Sequence, residues 1–74
     1  MHELPLLSGQ EIIKILRRLG FTVVRQRGSH IVLRKGRYGC VIPNHREVAR
    51  GTLRNTLKQA NITIDEFISE HEKG

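Results

Sequence analysis

The chain has 74 residues, a formal net charge of +6 at pH 7 and one cysteine, Cys40. This length allows one domain with one small core, and a lone cysteine excludes an intramolecular disulfide and a paired-thiol zinc site. Because the sequence has neither a membrane-length apolar run nor a signal-peptide pattern, we expect a soluble, cytoplasmic protein. We expect a single domain over residues 1–74, with a core over about 8–68 and flexible ends at 1–7 and 69–74.

The first predicted element is a helix from Gly9 to Leu19. Ser8 and Glu11 have the spacing of a capping box at its N-terminus. Apolar residues recur along it at helical spacing, and Gly20 stands where a left-handed residue would end it.

Three strands are predicted next, because the following segments are rich in β-branched and apolar residues. They cover residues 21–27, 30–34 and 38–42, joined by short turns at 28–29 and 35–37. Connections this short join antiparallel neighbours, so the strands should form a three-stranded antiparallel sheet.

Alternation along the middle strand predicts which of its residues meet the helices. Ile31 and Leu33 should face the helices, and His30, Val32 and Arg34 should lie on the open face.

Two more helices complete the chain. One is predicted over Arg50–Ala60 and ends at Asn61, because asparagine tolerates the left-handed conformation. Thr63 and Glu66 form a second capping box, so a short helix should begin at Ile64. The order α-β-β-β-α, with helices packed on one face of the sheet, predicts a two-layer α+β fold like that of double-stranded-RNA-binding domains.

The positive charge is concentrated in the middle of the sequence. Nine Lys and Arg side chains lie within residues 25–58 against Glu47 alone, whereas residues 59–74 are net acidic. Such segregation produces a positive surface potential that attracts polyanions, which favours a nucleic-acid partner over a role in solubility alone. Since no helix–turn–helix pair is apparent, we do not expect direct DNA binding.

Most common catalytic arrangements do not match the sequence. The four histidines are scattered without the spacing of zinc ligands, and the glycines do not form a phosphate-binding loop. The middle of the chain also lacks acids that could orient a histidine in a triad. We therefore expect no metal and no cofactor.

One histidine has surroundings that suit phosphodiester chemistry. His30 follows a Gly-Ser turn, with Arg25, Arg27 and Arg34 nearby. Imidazole transfers protons near neutral pH, and guanidinium groups stabilise charge on phosphoryl oxygens. On residue type alone, however, a local structural role for this histidine would be the more common outcome.

Four segments in sequence order resemble the HicA (YcfA-like) mRNA interferase toxins of type II toxin–antitoxin systems. They are Leu16–Phe21, Arg27–His30, Ile42–Val48 and Gly51–Ala60. The resemblance extends from about Ser8 to Phe67. It implies a fold like that of double-stranded-RNA-binding domains, metal-independent endonucleolytic cleavage of mRNA with arrest of translation, and a HicB-like antitoxin as partner.

The resemblance also implies roles for individual residues. His30 of the Gly-Ser-His motif would be catalytic, Gly28 would allow the tight turn, and Ser29 would donate to a phosphate oxygen. His45 falls in the second histidine-bearing segment, where we expect it to bind RNA; a catalytic role or stabilisation of its loop are the alternatives.

Two groups of basic residues are candidates for RNA contact. The first group is predicted to cluster on the strands and turns near His30, namely Arg25, Arg27, Arg34, Lys35 and Arg37. The second is a stripe of Arg50, Arg54 and Lys58 at helical spacing, which could follow phosphates, meet an acidic antitoxin or simply face solvent. The alternatives to a ribonuclease are a non-catalytic RNA-binding module and a small adaptor for an acidic protein.

Overall fold

The computed structural model describes residues 3–74 as three helices and a three-stranded sheet. The elements are α1 (Gly9–Arg18), β1 (Thr22–Arg27), β2 (His30–Lys35), β3 (Tyr38–Pro43), α2 (Arg50–Ala60) and α3 (Ile64–Lys73). Each helix begins at its predicted residue, and the order confirms the α+β fold like that of double-stranded-RNA-binding domains. Met1 and His2, within the predicted flexible end 1–7, lie outside the described residues.

The predicted capping box is present at the N-terminus of α1. The Ser8 hydroxyl accepts from the Glu11 N–H at 3.1 Å, and the Glu11 carboxylate accepts from the Ser8 N–H at 2.9 Å. Thr63 and Glu66 form the same pair at the start of α3, at 3.0 and 2.9 Å. The backbone N–H bonds favour the ionised carboxylates and so lower the pKa of Glu11 and of Glu66.

The other predicted helix end is also confirmed. Asn61 closes α2 in the left-handed conformation, with φ 58°. Its N–H donates to the Lys58 carbonyl at 3.1 Å, which satisfies one of the free carbonyl groups at the end of α2.

The sheet has β2 in the centre, with β1 and β3 antiparallel on either side. Ile31 and Leu33 are 3% and 0% exposed beneath the helices, whereas His30 and Arg34 are exposed on the opposite face. The predicted alternation in β2 is therefore confirmed. One face of the sheet is covered by helices, and the other remains open.

The core extends beyond the predicted limits of 8–68 at its N-terminal side. Leu4 and Leu7 are 1% and 6% exposed and belong to the same apolar cluster as the buried residues of the helices and sheet. Leu7 is held there by an isolated bridge to Val48, whose N–H donates to the Leu7 carbonyl at 2.8 Å.

At the C-terminal side, α3 continues through most of the segment 69–74. The Arg18 guanidinium on α1 donates to the Glu70 carboxylate at 3.1 Å and to the Glu70 carbonyl at 3.0 Å. This pair attaches the end of α3 to α1. Within residues 3–74, none of the helices is both long and apolar enough to cross a membrane.

Candidate active site

The Gly28-Ser29-His30 motif forms the tip of the hairpin between β1 and β2. Gly28 has φ 57°, a left-handed conformation in which a residue without Cβ is unstrained. Its carbonyl accepts a hydrogen bond from the Gln26 side-chain amide at 3.1 Å. His30 is the first residue of β2 and is exposed, so its imidazole is accessible at one end of the sheet.

A β-bulge in β1 determines which side of the sheet its arginines occupy. The register shifts between Val23 and Arg25, and Val24 is the extra residue. Simple alternation would have placed Val23, Arg25 and Arg27 on a single face. The bulge instead separates the valine from the two arginines.

The strand register shows the result of this separation. Val23 is paired with Leu33 and packs against the core, whereas Arg25 is paired with Val32 and Arg27 directly with His30. Two guanidinium groups therefore share the open face with the imidazole.

Arg34 lies on the same face but farther along the sheet. It is four residues beyond His30 in β2, which corresponds to about 13 Å at the usual rise of a strand. Arg25, Arg27, His30 and Arg34 are called the open-face cluster below. Its length exceeds one phosphate group, so it could contact more than one nucleotide of a bound strand.

Two of the basic residues grouped with His30 by sequence lie elsewhere. Lys35 is on the helix-facing side of β2, where it is paired with Tyr38 of β3. Its ammonium group donates to the Leu19 carbonyl at 2.8 Å. Arg37 lies in the β2–β3 turn, at the other end of β2 from His30. The sequence already indicated this side for Lys35, because Lys35 is two residues after the buried Leu33 and alternate residues of a strand share a face.

The segment that follows β3 returns to the Gly-Ser turn. His30 is paired with Pro43, and the Asn44 N–H donates to the Ser29 carbonyl. His45 is the next residue, and its side chain is exposed. The fold thus brings the two histidine-bearing segments to the same end of the sheet.

The stripe predicted on α2 does not consist of three equivalent cations. The Arg50 guanidinium donates to the Leu4 carbonyl and lies 3.3 Å from the Glu3 carboxylate, so it attaches the N-terminal segment. Arg54 and Lys58 are exposed on α2. They lie on a different element from the open-face cluster, and within residues 3–74 no side-chain hydrogen bond or ion pair joins them to it.

The single cysteine is not a candidate nucleophile. Cys40 is buried on the helix-facing side of β3, and this burial raises the pKa of its thiol to about 11. Within residues 3–74, the structure brings together no group of three or more His, Cys, Asp or Glu side chains that could bind a metal ion.

Comparison with protein families identifies the chain. The family model described as "HicA toxin of bacterial toxin-antitoxin" matches residues 9–62, which is more than two thirds of the sequence. The chain belongs to the HicA toxin family. The match runs from the start of α1 to just beyond α2 and includes both histidine-bearing segments. Among curated proteins, none matches this sequence significantly.

Family membership confirms the resemblance of the four sequence segments and places the chain in a general class of function. A HicA toxin is the ribonuclease toxin of a toxin–antitoxin pair. The site in this HicA chain also includes features that sequence reasoning missed, namely the bulge at Val24 and the bond from Asn44 to Ser29. Neither has a local signal, because each depends on how separate segments of the chain pair.

Proposed function

We propose that this HicA toxin cleaves messenger RNA without a metal ion and thereby arrests translation, with His30 as its catalytic residue. The observation that supports this best is the pairing of the exposed His30 with Arg27, on a face shared with Arg25. This arrangement combines a proton-transfer group with cations that bind phosphate.

RNA cleavage of this kind needs only a few groups from the protein. RNA supplies its own nucleophile, the 2′-hydroxyl, which attacks the adjacent phosphorus once its proton is removed. The imidazole of His30 would transfer that proton, while guanidinium groups stabilise the charge that develops on the phosphoryl oxygens. Ser29 would donate to a phosphate oxygen from the turn that Gly28 permits. DNA lacks the nucleophile, so RNA fits the site better.

The remaining cationic residues would bind RNA outside the cleaved linkage. Arg34 would contact a neighbouring phosphate along the open face, and His45 would contact RNA beside the Gly-Ser turn. Lys35 and Arg37 at the β2–β3 end, and Arg54 and Lys58 on α2, would contact RNA that extends beyond the sheet. Contacts of this kind add affinity with little sequence preference.

The proposed partner is a HicB-like antitoxin that covers the open-face cluster in the cytoplasm. A surface with three arginines and an exposed imidazole favours a partner with acidic or polar groups. Attraction between opposite charges would make association fast and sensitive to salt. Covering His30 would block access of RNA to the site.

The test compares the wild type with His30→Ala on a defined single-stranded RNA in EDTA, with the ends of the products identified. His71→Ala, which removes an imidazole from α3, is the matched control. We expect cleavage by the wild type and the control to leave a 2′,3′-cyclic phosphate, and a folded His30→Ala to lose this activity. If the folded wild type binds the RNA without cleaving it, the protein is an RNA-binding module instead.

A further inference from the structure

We propose that His45 is a second catalytic residue that forms an acid–base pair with His30. This inference rests on the proposed ribonuclease function and assigns the second proton-transfer group that the reaction requires.

The first argument is the position of the segment that contains His45. Pro43 is paired with His30 at the end of the sheet, and the next residue, Asn44, donates its N–H to the Ser29 carbonyl. His45 therefore follows directly after a backbone hydrogen bond to the Gly-Ser-His turn. Its exposed side chain lies at the end of the sheet where His30 is exposed.

The second argument is that this segment is also held from its other side by α1. The Gly9 N–H donates to the His45 carbonyl at 2.8 Å, and the Gln10 side-chain amide donates to the Asn44 side-chain oxygen at 2.9 Å. These hydrogen bonds are made by the His45 carbonyl and the Asn44 side chain, and neither involves the His45 imidazole. A fixed backbone with an accessible side chain is what a proton-transfer group requires.

The third argument is the chemistry of the reaction. When the 2′-oxygen forms its bond to phosphorus, the bond from phosphorus to the 5′-oxygen breaks, and the products are a 2′,3′-cyclic phosphate and a 5′-hydroxyl. One proton leaves the 2′-hydroxyl and one is added to the departing 5′-oxygen. Two imidazoles, one neutral and one protonated, transfer both protons without a metal.

Other titratable groups fit this role less well. Glu47 is in the same segment, but its negative charge would oppose a phosphate. His71 is on α3, Tyr38 is at the opposite end of β3, and Cys40 is buried. Among residues 3–74, His45 is thus the histidine that the fold places beside the turn of His30.

The experiment uses two RNA substrates that differ at one atom of the cleaved linkage, located first by mapping wild-type products. One has the ordinary 5′-oxygen, and the other has sulfur there, whose thiolate departs without being protonated. The variants are His30→Ala, His45→Ala and the control His71→Ala. On ordinary RNA we expect kcat/KM to fall about 10²–10⁴-fold for His30→Ala and for His45→Ala.

The sulfur substrate separates the two roles. We expect it to restore cleavage by one of the two histidine variants to within about tenfold of the wild type, and not by the other, because one imidazole only protonates the leaving group. His45→Asn, which retains a polar side chain of similar reach but cannot transfer a proton at neutral pH, should behave as His45→Ala does. Circular dichroism of each variant verifies that it is folded.

Two results would overturn the proposal for His45. One is cleavage of ordinary RNA by His45→Ala at a rate within about threefold of the wild type. The other is that the sulfur substrate restores cleavage by both histidine variants or by neither. If the wild type cleaves and His30→Ala does not, these results reject only the role of His45. A wild type that fails to cleave either RNA rejects the ribonuclease proposal itself.

Discussion

A methyl group at Gly9 would collide with the backbone that supports the candidate site. A Cβ built there would overlap the Pro43 carbonyl oxygen and lie 3.1 Å from the Asn44 Cα. Because both are backbone atoms, neither can rotate away, and either α1 or the segment after β3 must shift. The glycine thus allows the close approach by which α1 holds the loop of His45.

We expect Gly9→Ala to destabilise the protein by about 1–3 kcal/mol, the usual cost of overpacking, and to reduce RNA cleavage. Urea denaturation and cleavage assays measure the two effects. Gly51→Ala in α2 is the control, since within residues 3–74, apart from the adjoining residues and backbone of α2 itself, no atom lies within 4 Å of its added Cβ. A Gly9→Ala protein as stable as Gly51→Ala would show that the close approach is unimportant.

At the scale of an element, the bulge in β1 is the feature that places the arginines beside His30. Val24 is the extra residue and is 51% exposed. Removing it would leave Val23 opposite Leu33 and Arg25 opposite Val32. Without the bulge, β1 would then be a regular strand with its valine still facing the core and its arginine still on the open face.

Deletion of Val24 should therefore leave the protein folded, with cleavage within about tenfold of the wild type. Deletion of Val32 is the control, because Val32 is paired on both sides and its loss would move either Ile31 or Leu33 out of the core. Thermal unfolding and cleavage assays compare the two. Loss of folding in both variants would mean that the bulge itself is required.

The capping boxes of α1 and α3 make the stability of these helices dependent on pH. In the folded state, backbone N–H bonds from Ser8 and Thr63 lower the pKa of Glu11 and Glu66 from the ordinary value of a glutamate. A lowered folded-state pKa means that the stabilisation is present above the unfolded-state pKa. It is lost as the pH falls through the folded-state value.

We expect the melting temperature of the wild type to fall as the pH decreases from about 5 towards 3. A double variant, Glu11→Ala with Glu66→Ala, should be less stable at pH 7 and should show a smaller decrease over this range. Glu72→Ala, at an exposed position of α3, is the control and should follow the wild type. Parallel curves for the wild type and the double variant would contradict the role of the caps.

At the scale of the whole molecule, two groups of exposed cations lie on different elements, the open-face cluster on the sheet and a second group on α2. Arg25, Arg27 and Arg34 share the open face of the sheet, whereas Arg54 and Lys58 are exposed on α2. The first set lies with His30. The second could bind RNA, the antitoxin or neither.

RNA affinity should fall with salt, since each phosphate contact to a single strand lowers the slope of log K against log salt by about 0.7. All proteins in this measurement carry His30→Ala, which prevents cleavage. In that background, adding Arg25→Ala and Arg27→Ala should reduce the magnitude of the slope by about 1.4. Arg54→Ala with Lys58→Ala is the comparison. A slope unchanged by the first pair would place the RNA away from His30.

The fold was predictable from the sequence because its determinants are local. The helix starts at Gly9 and Ile64 follow from capping residues within one turn, and the end of α2 follows from Asn61. The alternation that buries Ile31 and Leu33 is a property of a single strand. Gly28-Ser29-His30 was likewise found from adjacent residues, and the family match confirms the resemblance that included it.

The assembly of the candidate site depended on contacts between separate segments of the chain. The bulge at Val24 reverses the faces that alternation predicts for the arginines of β1, and only the pairing with β2 shows where it lies. Lys35 was grouped with His30 because they are close in sequence, although five residues along a strand place them on opposite faces. Local hydrogen bonds and side-chain periodicity thus determined the elements of this protein. The tertiary structure decided which side chains meet, because strand register and the packing of α1 against the segment after β3 arise only when these elements pair.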